Sequence, residues 1–406
     1  MNDFALLGLL IIAIAIGFFL GRHAAKKKVA GVAFAPGKSY FQGLNYLLNE
    51  QPDKAVEEFV SALDVNTDTL ETHLALGKLM RKQGQVDRAI RIHQNLLARP
   101  VLELKDQHQV HLELARDFMT AGLLDRAEVL LQEVIGESTV LRSIAQRSLL
   151  DIYQDESEWQ DAINVAQALL QSRFMKANVE HKRNLQRMVA HFYCELAEDC
   201  MRGENLIGAR QYLDRAVAAD KTVYRVALLS AANDNAQGRH KQVIKVLSRL
   251  ELQDPAWFWM CLPALQEAYE RQDVERGFEI FSRHLRSHIE NHDAPRVAMY
   301  LVDQFIARSE DEPIRVQQAS EILSVFVAQY ESLLASNKLV ELQINDASKQ
   351  VESDVCRLHA QVSDLLNQRN RYRCGDCGFS GRQLHWRCPS CKTWESMRSI
   401  ENQSTI

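Results

Sequence analysis

Two stretches of this 406-residue chain repeat one another at an offset of 34 positions. GLNYLLNEQPDKAVEEFVSAL begins at Gly43 and GKLMRKQGQVDRAIRIHQNLL begins at Gly77, and Ala55 recurs as Ala89 at the same offset. A period of this length is typical of repeats in which each unit is a pair of helices. Because one pair cannot bury its apolar face alone, the offset predicts a stack in which every unit packs on its neighbours.

The recurring residues follow the tetratricopeptide pattern of a small residue, a bulky residue, an alanine, a large apolar residue and a second small residue. The first copy has Gly43, Tyr46, Ala55, Phe59 and Ala62, and the second has Gly77, Met80, Ala89, His93 and Leu96. Small residues let the two helices approach closely, and large ones fill the groove to the next pair. Glycine and proline, the strongest helix breakers, number only 17 and 8, which agrees with a mostly helical chain.

Later copies of the pattern drift but can be followed to Pro295. Their key positions are Ala115, Phe118, Ala127, Leu131, Tyr153, Ala162, Leu169, Ala197, Ala209, Leu213, Ala216, Val243, Leu247, Gly277 and Phe281. The spacing widens to 47 residues between Ala162 and Ala209, which predicts a longer helix or an additional turn in that repeat. A non-repetitive helical bundle is the alternative interpretation of this region.

An uncharged apolar run, FALLGLLIIAIAIGFFL, extends from Phe4 to Leu20. At about 1.5 Å per residue it approaches the roughly 30 Å thickness of a bilayer core. Arg22 and the lysines at 26–28 follow it, whereas only Asp3 precedes it. Since positive charges prefer the cytoplasmic side, we predict a transmembrane anchor with its N-terminus outside and the bulk of the chain in the cytosol. A cleaved signal peptide is the alternative, but its positive charges would precede the apolar run.

Four of the eight cysteines form two pairs, Cys374/Cys377 and Cys388/Cys391. Two residues between cysteines let both sulfurs of one tight turn reach the same ion, and two such turns complete a tetrahedron of thiolates. The spacing predicts one metal ion, iron or zinc, in a closed site, with disulfides or free thiols as the alternatives. Because so short a segment cannot build its own core, we expect it to depend on the metal and to dock on the helical stack.

Two further features have competing interpretations. His284, His288 and His292 recur every four residues and line one helix face, either as metal ligands or, as we favour, as a solvated face. The aromatic stretch PAWFWMCLP at 255–263 is either an anchor for a peptide partner or, as we favour, core packing at a helix start.

The C-terminal tail is locally basic, which suits either phosphate groups of RNA or lipid, or docking on acidic repeats. Its basic residues include Arg371, Arg373, Arg382, Arg387 and Lys392. The net charge of the whole chain is −5 and gives no general attraction to nucleic acid, which we do not expect as a partner. We find no glycine-rich phosphate loop and no convincing nucleophile arrangement, so the sequence predicts no catalytic residues and no enzyme activity.

The predicted fold class is all-α, a tetratricopeptide superhelix with an N-terminal transmembrane helix and a small metal-binding domain at the C-terminus. The predicted segments are an anchor at 1–21, a basic linker at 22–38, the repeat array at 39–310, C-terminal helices at 311–370 and the metal-binding domain at 371–400. The polar helical stretch 337–368 is interpreted as a connecting arm.

The pattern CGDCG…CPSCKTW, with Trp394 beside the second pair, resembles the metal-binding turns of rubredoxins. Together with the segments VDRAIRIHQ, SEWQDAI and HFYCELA, the order of anchor, repeats and metal-binding tail resembles the lipopolysaccharide assembly protein B family of Gram-negative bacteria. That resemblance covers nearly the whole chain. It implies metal ligands at Cys374, Cys377, Cys388 and Cys391.

The same resemblance implies an inner-membrane adaptor. Such an adaptor is expected to work with the membrane protease FtsH to promote degradation of the LpxC deacetylase, and to bring lipopolysaccharide synthesis and transport proteins together. A scaffold for envelope enzymes without a protease link and a redox or electron-transfer module are the two alternative functions. An oligomer is compatible with the sequence.

Overall fold

A computed structural model of the chain describes residues 70–98, 102–172, 178–253, 255–308, 314–330, 332–345 and 353–400. The predicted anchor at 1–21, the basic linker at 22–38 and the first repeat copy lie outside these residues. Within them, no helix combines the length and the apolar character needed to cross a bilayer. The chain divides into two compact units, 1–145 and 146–406, and the boundary falls inside one helix.

The described part of the first unit consists of antiparallel helical pairs. Its helices are α1 (Leu70–Lys82), α2 (Val86–Leu97), α3 (Leu104–Thr120), α4 (Leu124–Glu137) and the start of α5 (Arg142–Glu156). The second unit continues in the same way and ends in a small sheet. Its helices are α6 (Trp159–Gln171), α7 (Val179–Arg202), α8 (Leu206–Ala219), α9 (Tyr224–Ala236), α10 (His240–Gln253), a 3-10 helix (Pro255–Cys261), α11 (Leu262–Gln272), α12 (Gly277–Asn291), α13 (Pro295–Ala307), α14 (Ile314–Gln329), α15 (Leu333–Asn345) and α16 (Ser353–Gln368).

Five of the helical pairs are joined by the same kind of turn. Each has one residue in the left-handed backbone region: Gly84, Gly122, Ser157, Glu204 or Gly238. In every case the next residue donates its N–H to the carbonyl five positions earlier, at 2.8–2.9 Å. This is the bond that satisfies a free carbonyl at a helix end and stops the helix. The repeat is therefore visible in the turns as well as in the residues of the helix faces.

The small residues of the pattern lie where the two helices of a pair meet. Ala89, Ala127, Ala162 and Ala209 are completely buried, as the tetratricopeptide interpretation predicts. At Gly77 an added Cβ would lie 2.4 Å from Nε2 of the His93 ring, so this position has room only for glycine while His93 stays where it is. The repeat pattern is confirmed at these positions.

His93 itself shows how polar residues enter the core of the first unit. Its Nδ1 is hydrogen-bonded to buried Asp117, whose other carboxylate oxygen accepts a 2.6 Å bond from Arg81. Arg81 also donates to buried Glu113 at 2.7 Å. Because every buried charge in this network faces an opposite or polar partner, it does not carry the full cost of an unpaired buried charge.

The widened spacing before Ala209 is explained by the length of α7. This helix has 24 residues, compared with 12 for α2 and 13 for α1. Asn178 caps its start by accepting a hydrogen bond from the backbone N–H of His181 at 3.1 Å. The prediction of a longer helix is thus confirmed.

The predicted C-terminal helices at 311–370 include α14, α15 and α16. Helix α14 buries Ala319, Leu323 and Phe326 in the core of the second unit, whereas α16 has no buried residue. The sheet that follows has strands β1 (Tyr372–Cys374), β2 (Ser380–Gly381) and β3 (Met397–Ser399). They are antiparallel in the order β2-β1-β3. We call residues 371–400 the ribbon.

Candidate metal centre

The first cysteine pair lies on a tight turn that leaves β1. Cys374 donates its N–H to the carbonyl of Phe379 at 2.7 Å, and its carbonyl accepts from the N–H of Gly378 at 3.1 Å. Gly378 has a φ of +77°, a conformation that favours glycine. These bonds turn the chain so that Cys374 and Cys377 point the same way.

The second pair lies on a turn with the same hydrogen bonds. Cys388 donates its N–H to Thr393 and accepts from the N–H of Lys392, both at 2.9 Å. Lys392 takes the place of Gly378 and has a φ of +60°. The two cysteine turns are thus structural copies, although only the first has glycine at the left-handed position.

The structure brings all four predicted ligands together. Their Sγ atoms all lie within 4.8 Å of one another, with Cys374 and Cys391 3.6 Å apart and Cys377 and Cys388 3.7 Å apart. A tetrahedron with metal–sulfur bonds of about 2.3 Å has sulfurs roughly 3.8 Å apart, whereas a disulfide bond measures about 2.05 Å. The four thiols are unbonded, and their spacing fits the ligands of one ion.

The surroundings of Cys374 favour its thiolate. Burial acts to raise the pKa of this thiol, but hydrogen bonding with Ser396 and with the backbone of Cys377 and Asp376 outweighs it and lowers the pKa to about 6. The hydroxyl of Ser396 lies 3.3 Å from the sulfur. A pre-formed thiolate is what a metal ion requires of this ligand. Four sulfurs suit zinc or iron, and the geometry does not separate the two.

The ribbon packs on the helices of the second unit, and we call this contact surface the seat. Trp394 lies at its centre. Its ring is 7% exposed, stacks on His191 of α7 with ring centroids 4.8 Å apart, and meets Trp159 and Phe192 edge-on at 6.1 and 5.9 Å. Its Nε1–H donates to Oε1 of buried Gln154 at 3.0 Å. Trp394 directly follows the second cysteine turn, so this contact fixes the position of the metal centre on the helices.

A second tryptophan of the ribbon extends the seat. Trp386 stacks on Trp257 of the 3-10 helix, with centroids 5.7 Å apart and ring planes 13° apart. The guanidinium of Arg225 lies 5.7 Å from the centre of the Trp386 ring and is held by Glu195 at 2.7 Å and by Glu198 at 2.9 Å. Stacked rings and a desolvated arginine are typical of stable protein interfaces.

The opposite edge of the ribbon contacts α13 and the 3-10 helix. Arg296 donates to the hydroxyl of Tyr372 at 3.0 Å, and its guanidinium lies over both the Tyr372 ring and the Trp259 ring. Tyr372 is in β1, next to Cys374. Both ends of the sheet-and-turn structure are therefore held by side chains from the helices.

Polar contacts complete the seat. Asp155 at the end of α5 accepts from Arg387 at 3.0 Å and from Lys392, which flank the second cysteine pair. Glu395 accepts from the backbone N–H of Tyr224, the first residue of α9, at 2.9 Å. Of the two interpretations of the basic tail, docking on an acidic residue of the repeats applies to Arg387 and Lys392.

His191 lies inside the seat as a neutral imidazole. Burial lowers its pKa to about 3, helped by the charges of Arg225 and Arg187. Its nearest carboxylate, Glu395, is 4.0 Å away and has a pKa raised by burial. The neutral imidazole ring therefore acts here as an aromatic surface for Trp394.

The histidine series in α12 differs from the favoured prediction. His288 is buried, and it and His284 each bond one oxygen of Glu251 at 2.7 Å. His292 stacks on His288 with centroids 4.5 Å apart. The solvated-face interpretation is wrong for His288, because α10 brings Glu251 against this side of the helix. Among the described residues, the four cysteines form the group whose ligand atoms lie close enough to hold a metal ion. The three histidines do not form such a group.

The aromatic stretch 255–263 is core, as favoured. Trp257, Phe258 and Cys261 are buried in the main apolar cluster of the second unit. Two of its tryptophans also form part of the ribbon seat, which the sequence did not indicate. Sequence analysis missed Trp159, His191 and Asp155 as residues of the seat, because no sequence pattern marks them. The basic residues of the tail were the one feature that indicated an acidic partner on the helices.

Comparisons with known proteins agree with this arrangement. The family described as the rubredoxin metal binding domain matches residues 372–399. Lipopolysaccharide assembly protein B of Escherichia coli K12 is 34% identical over 393 residues, covering 97% of each chain. The protein of the same name from Haemophilus influenzae is 31% identical over 404 residues, covering 97% of this chain and 98% of that one.

A solved tetratricopeptide repeat protein from Parabacteroides merdae overlaps 68% of this chain with a TM-score of 0.33 and 13% identity. A TM-score of 0.33 carries no argument about the fold. The helical repeat is shown by the turns and buried alanines described above. The identity to the curated relatives extends over nearly the full length of both chains and includes the metal-binding ribbon. The chain belongs to the lipopolysaccharide assembly protein B family.

Proposed function

We propose that this protein is an adaptor in lipopolysaccharide assembly, anchored in the inner membrane by residues 1–21, with its N-terminus in the periplasm and its bulk on the cytoplasmic side. In this proposal it presents the LpxC deacetylase to the membrane protease FtsH and so limits the supply of lipid A precursors. It also brings lipopolysaccharide synthesis and transport proteins together. Membership of the family and the names of its relatives support the general role in lipopolysaccharide assembly.

The observation that carries the adaptor role is the seating of the ribbon on the helical array. Side chains from five helices and the 3-10 helix contact the ribbon at Trp394, Trp386, Tyr372 and Arg387. An arrangement of this kind supports a fixed recognition surface made jointly by helices and ribbon. It offers no substrate position at the metal centre, because all four ligand positions are taken by cysteine. We infer that the protein is not an enzyme.

The role of the metal in this proposal is structural. When bound, the ion supplies four bonds that keep the two cysteine turns together. The residues of the chain do the rest: Trp394 and Trp386 fix the ribbon on the helices, and Arg387 and Lys392 hold its second turn against α5. The anchor adds to this by confining the array to one membrane surface, which raises the effective concentration of two partners bound there.

The half-life of the deacetylase tests the proposal. Depleting the protein should lengthen that half-life, and Cys374→Ser or Cys388→Ser should do the same while leaving the protein in the membrane fraction. The matched control is Cys356→Ser, which changes an exposed cysteine outside the cluster and should leave the half-life normal. An unchanged half-life on depletion would refute the link to proteolysis.

Two further measurements separate the alternative functions. Partners captured from solubilised membranes should include the protease; its absence, together with captured envelope enzymes, supports a scaffold without a protease link. The visible absorption of the purified protein addresses the redox alternative, because thiolate-bound ferric iron absorbs visible light and zinc does not. Zinc in the native site would exclude electron transfer.

A further inference from the structure

The sheet of the ribbon has one buried face and one face that is rich in arginine. Along β1, Tyr372 and Cys374 are buried, whereas Arg371 and Arg373, on either side of Tyr372, are exposed. Because side chains alternate between the two faces of a strand, both arginines lie on the face opposite the metal site core. Arg373 is therefore directed away from the residues that pack around Cys374.

The strand register adds two more arginines to this face. Arg373 pairs directly with Arg398 of β3. On the other side, Tyr372 pairs with Gly381, and the N–H of Arg371 donates to the carbonyl of Gly381 at 3.0 Å, so Arg382 lies across from Arg371. Like charges opposite one another destabilise a sheet. The sheet thus carries a concentration of positive charge that its own stability does not require.

Three of these arginines differ from the basic residues of the seat. Arg387 and Lys392 are paired with Asp155, and the guanidinium of Arg398 lies 4.9 Å from the centre of the Trp257 ring. Arg371, Arg373 and Arg382 are exposed, and their side chains form no ion pair or hydrogen bond with the residues that the structure describes. We call these three residues the arginine face.

The surrounding charge does not neutralise the arginine face. The ribbon, residues 371–400, contains six basic side chains and two acidic ones, Asp376 and Glu395, which gives +4. Four thiolates with a divalent ion contribute −2, so the loaded ribbon still carries a net charge of +2. Arginine holds phosphate oxygens through two parallel N–H donors, which makes a set of free guanidinium groups a phosphate-binding surface.

We propose that the arginine face binds the phosphate groups of anionic lipids at the membrane surface, so that the ribbon end of the chain contacts the membrane. On β2, Ser380 pairs with Arg373 and Gly381 pairs with Tyr372, so the β2 residues beside the arginines are small. This inference rests on the proposed membrane anchor, which keeps the chain next to headgroups. Each arginine near an anionic surface is expected to contribute about fivefold in affinity.

The test uses the full chain reconstituted in lipid nanodiscs. One preparation contains phosphatidylcholine alone, and the other contains phosphatidylcholine mixed with phosphatidylglycerol. Phenylglyoxal modifies accessible arginines, and mass spectrometry gives the modification rate at each site. We expect Arg371, Arg373 and Arg382 to react about fivefold more slowly in the anionic discs and to recover in about 1 M salt, where the screening length is only about 3 Å. Exposed Arg183 and Arg276 serve as references that should not change.

A double variant gives an independent measurement on one remaining site. Arg371→Gln with Arg373→Gln should remove most of the protection of Arg382 in anionic discs. The matched control, Lys182→Gln with Lys221→Gln, removes two exposed lysines of the helices and should leave that protection intact. Both variants change only exposed side chains, so neither is expected to unfold the chain.

The possible results separate the inference from the proposal beneath it. A chain that fails to remain with the discs would contradict the membrane anchor. A chain that remains but shows equal modification in both lipids would refute the arginine face as a lipid site. Protection in phosphatidylcholine discs by millimolar inorganic phosphate alone would also overturn it, in favour of a site for small anions. Protection only when an acidic protein partner is added would assign the face to a protein instead.

Discussion

Replacing Trp394 should release the ribbon from the helices without emptying the metal site. A buried tryptophan removes about 200 Å² from water, or about 5 kcal/mol at 25 cal/mol per Å². Measured costs of truncating buried aromatic residues to alanine are about 3–5 kcal/mol. Part of the Trp394 surface is covered by the ribbon itself, but the loss of its bond to buried Gln154 leaves an acceptor unpaired, which costs about a further 1–3 kcal/mol. We therefore expect Trp394→Ala to weaken docking by about 4 kcal/mol.

The backbone amide of Tyr224 reports this change directly. It is the first residue of α9, where an N–H has no partner within the helix, and it donates instead to Glu395 of the ribbon. Its hydrogen exchange should accelerate by about a thousandfold in Trp394→Ala, or up to the rate of the undocked state. Exchange resolved to single amides, with metal content measured in the same samples, separates undocking from loss of the ion.

Trp394→Phe is the matched control for that variant. It keeps most of the buried ring area but removes the donor to Gln154, so docking should weaken by only about 1–2 kcal/mol and exchange at Tyr224 should rise about tenfold. A change of less than tenfold in Trp394→Ala, with the metal retained, would show that Trp394 does not hold the ribbon in its seat. Equal effects of the two variants would show that the hydrogen bond, and not the ring, is the main contact.

Three further predictions concern packing, pH and metal. Gly277→Ala would place a Cβ 2.3 Å from the carbonyl oxygen of Tyr269 and should lower the free energy of unfolding by about 1–3 kcal/mol. Gly136→Ala would place a Cβ with nothing within 4 Å and should raise the free energy of unfolding by about 0.5–1 kcal/mol. Burial acts to raise the pKa of Glu251, but hydrogen bonds from its two histidine partners outweigh it and lower the pKa to about 2, so its contribution to stability should be complete above pH ~4.5 and lost as the pH falls through about 2. Glu251→Gln should abolish that part of the acid dependence in denaturant titrations, and an unchanged profile would contradict the assignment. Chelation should remove the hydrogen-exchange protection of 372–399 while the far-ultraviolet circular dichroism of the helices persists, and a cooperative loss of both would show that the helices need the ribbon to fold.

The family interpretation and the structure agree on where this protein differs from a simple repeat array. The array supplies surface, and the ribbon covers part of that surface with side chains suited to an interface. Trp394, Trp386 and Arg225 are the residue types that most often dominate binding energy between proteins. The second unit thus contains an internal interface between helices and ribbon, with the four-cysteine cluster at one end.

The sequence alone determined the features that depend on short-range periodicity and spacing. The 34-residue offset, the small residues at Ala89 and Ala127, and the longer helix before Ala209 follow from local rules for helix pairs. The four cysteines could be identified in the same way, since two residues between ligands set the geometry of one turn. Each of these patterns lies within one repeat or one turn, so no knowledge of distant contacts was needed.

Only the tertiary structure decided which distant residues meet. Trp394 meets Gln154 across 240 positions, and Lys392 meets Asp155 across 237. The sequence also misplaced His288, because the partner that buries it, Glu251, is on another helix. A surface position on one helix looks the same in sequence whether water or another element covers it. The burial of Trp394 and the pairing of Asp155 therefore appear only when the chain returns from its last helix to the array.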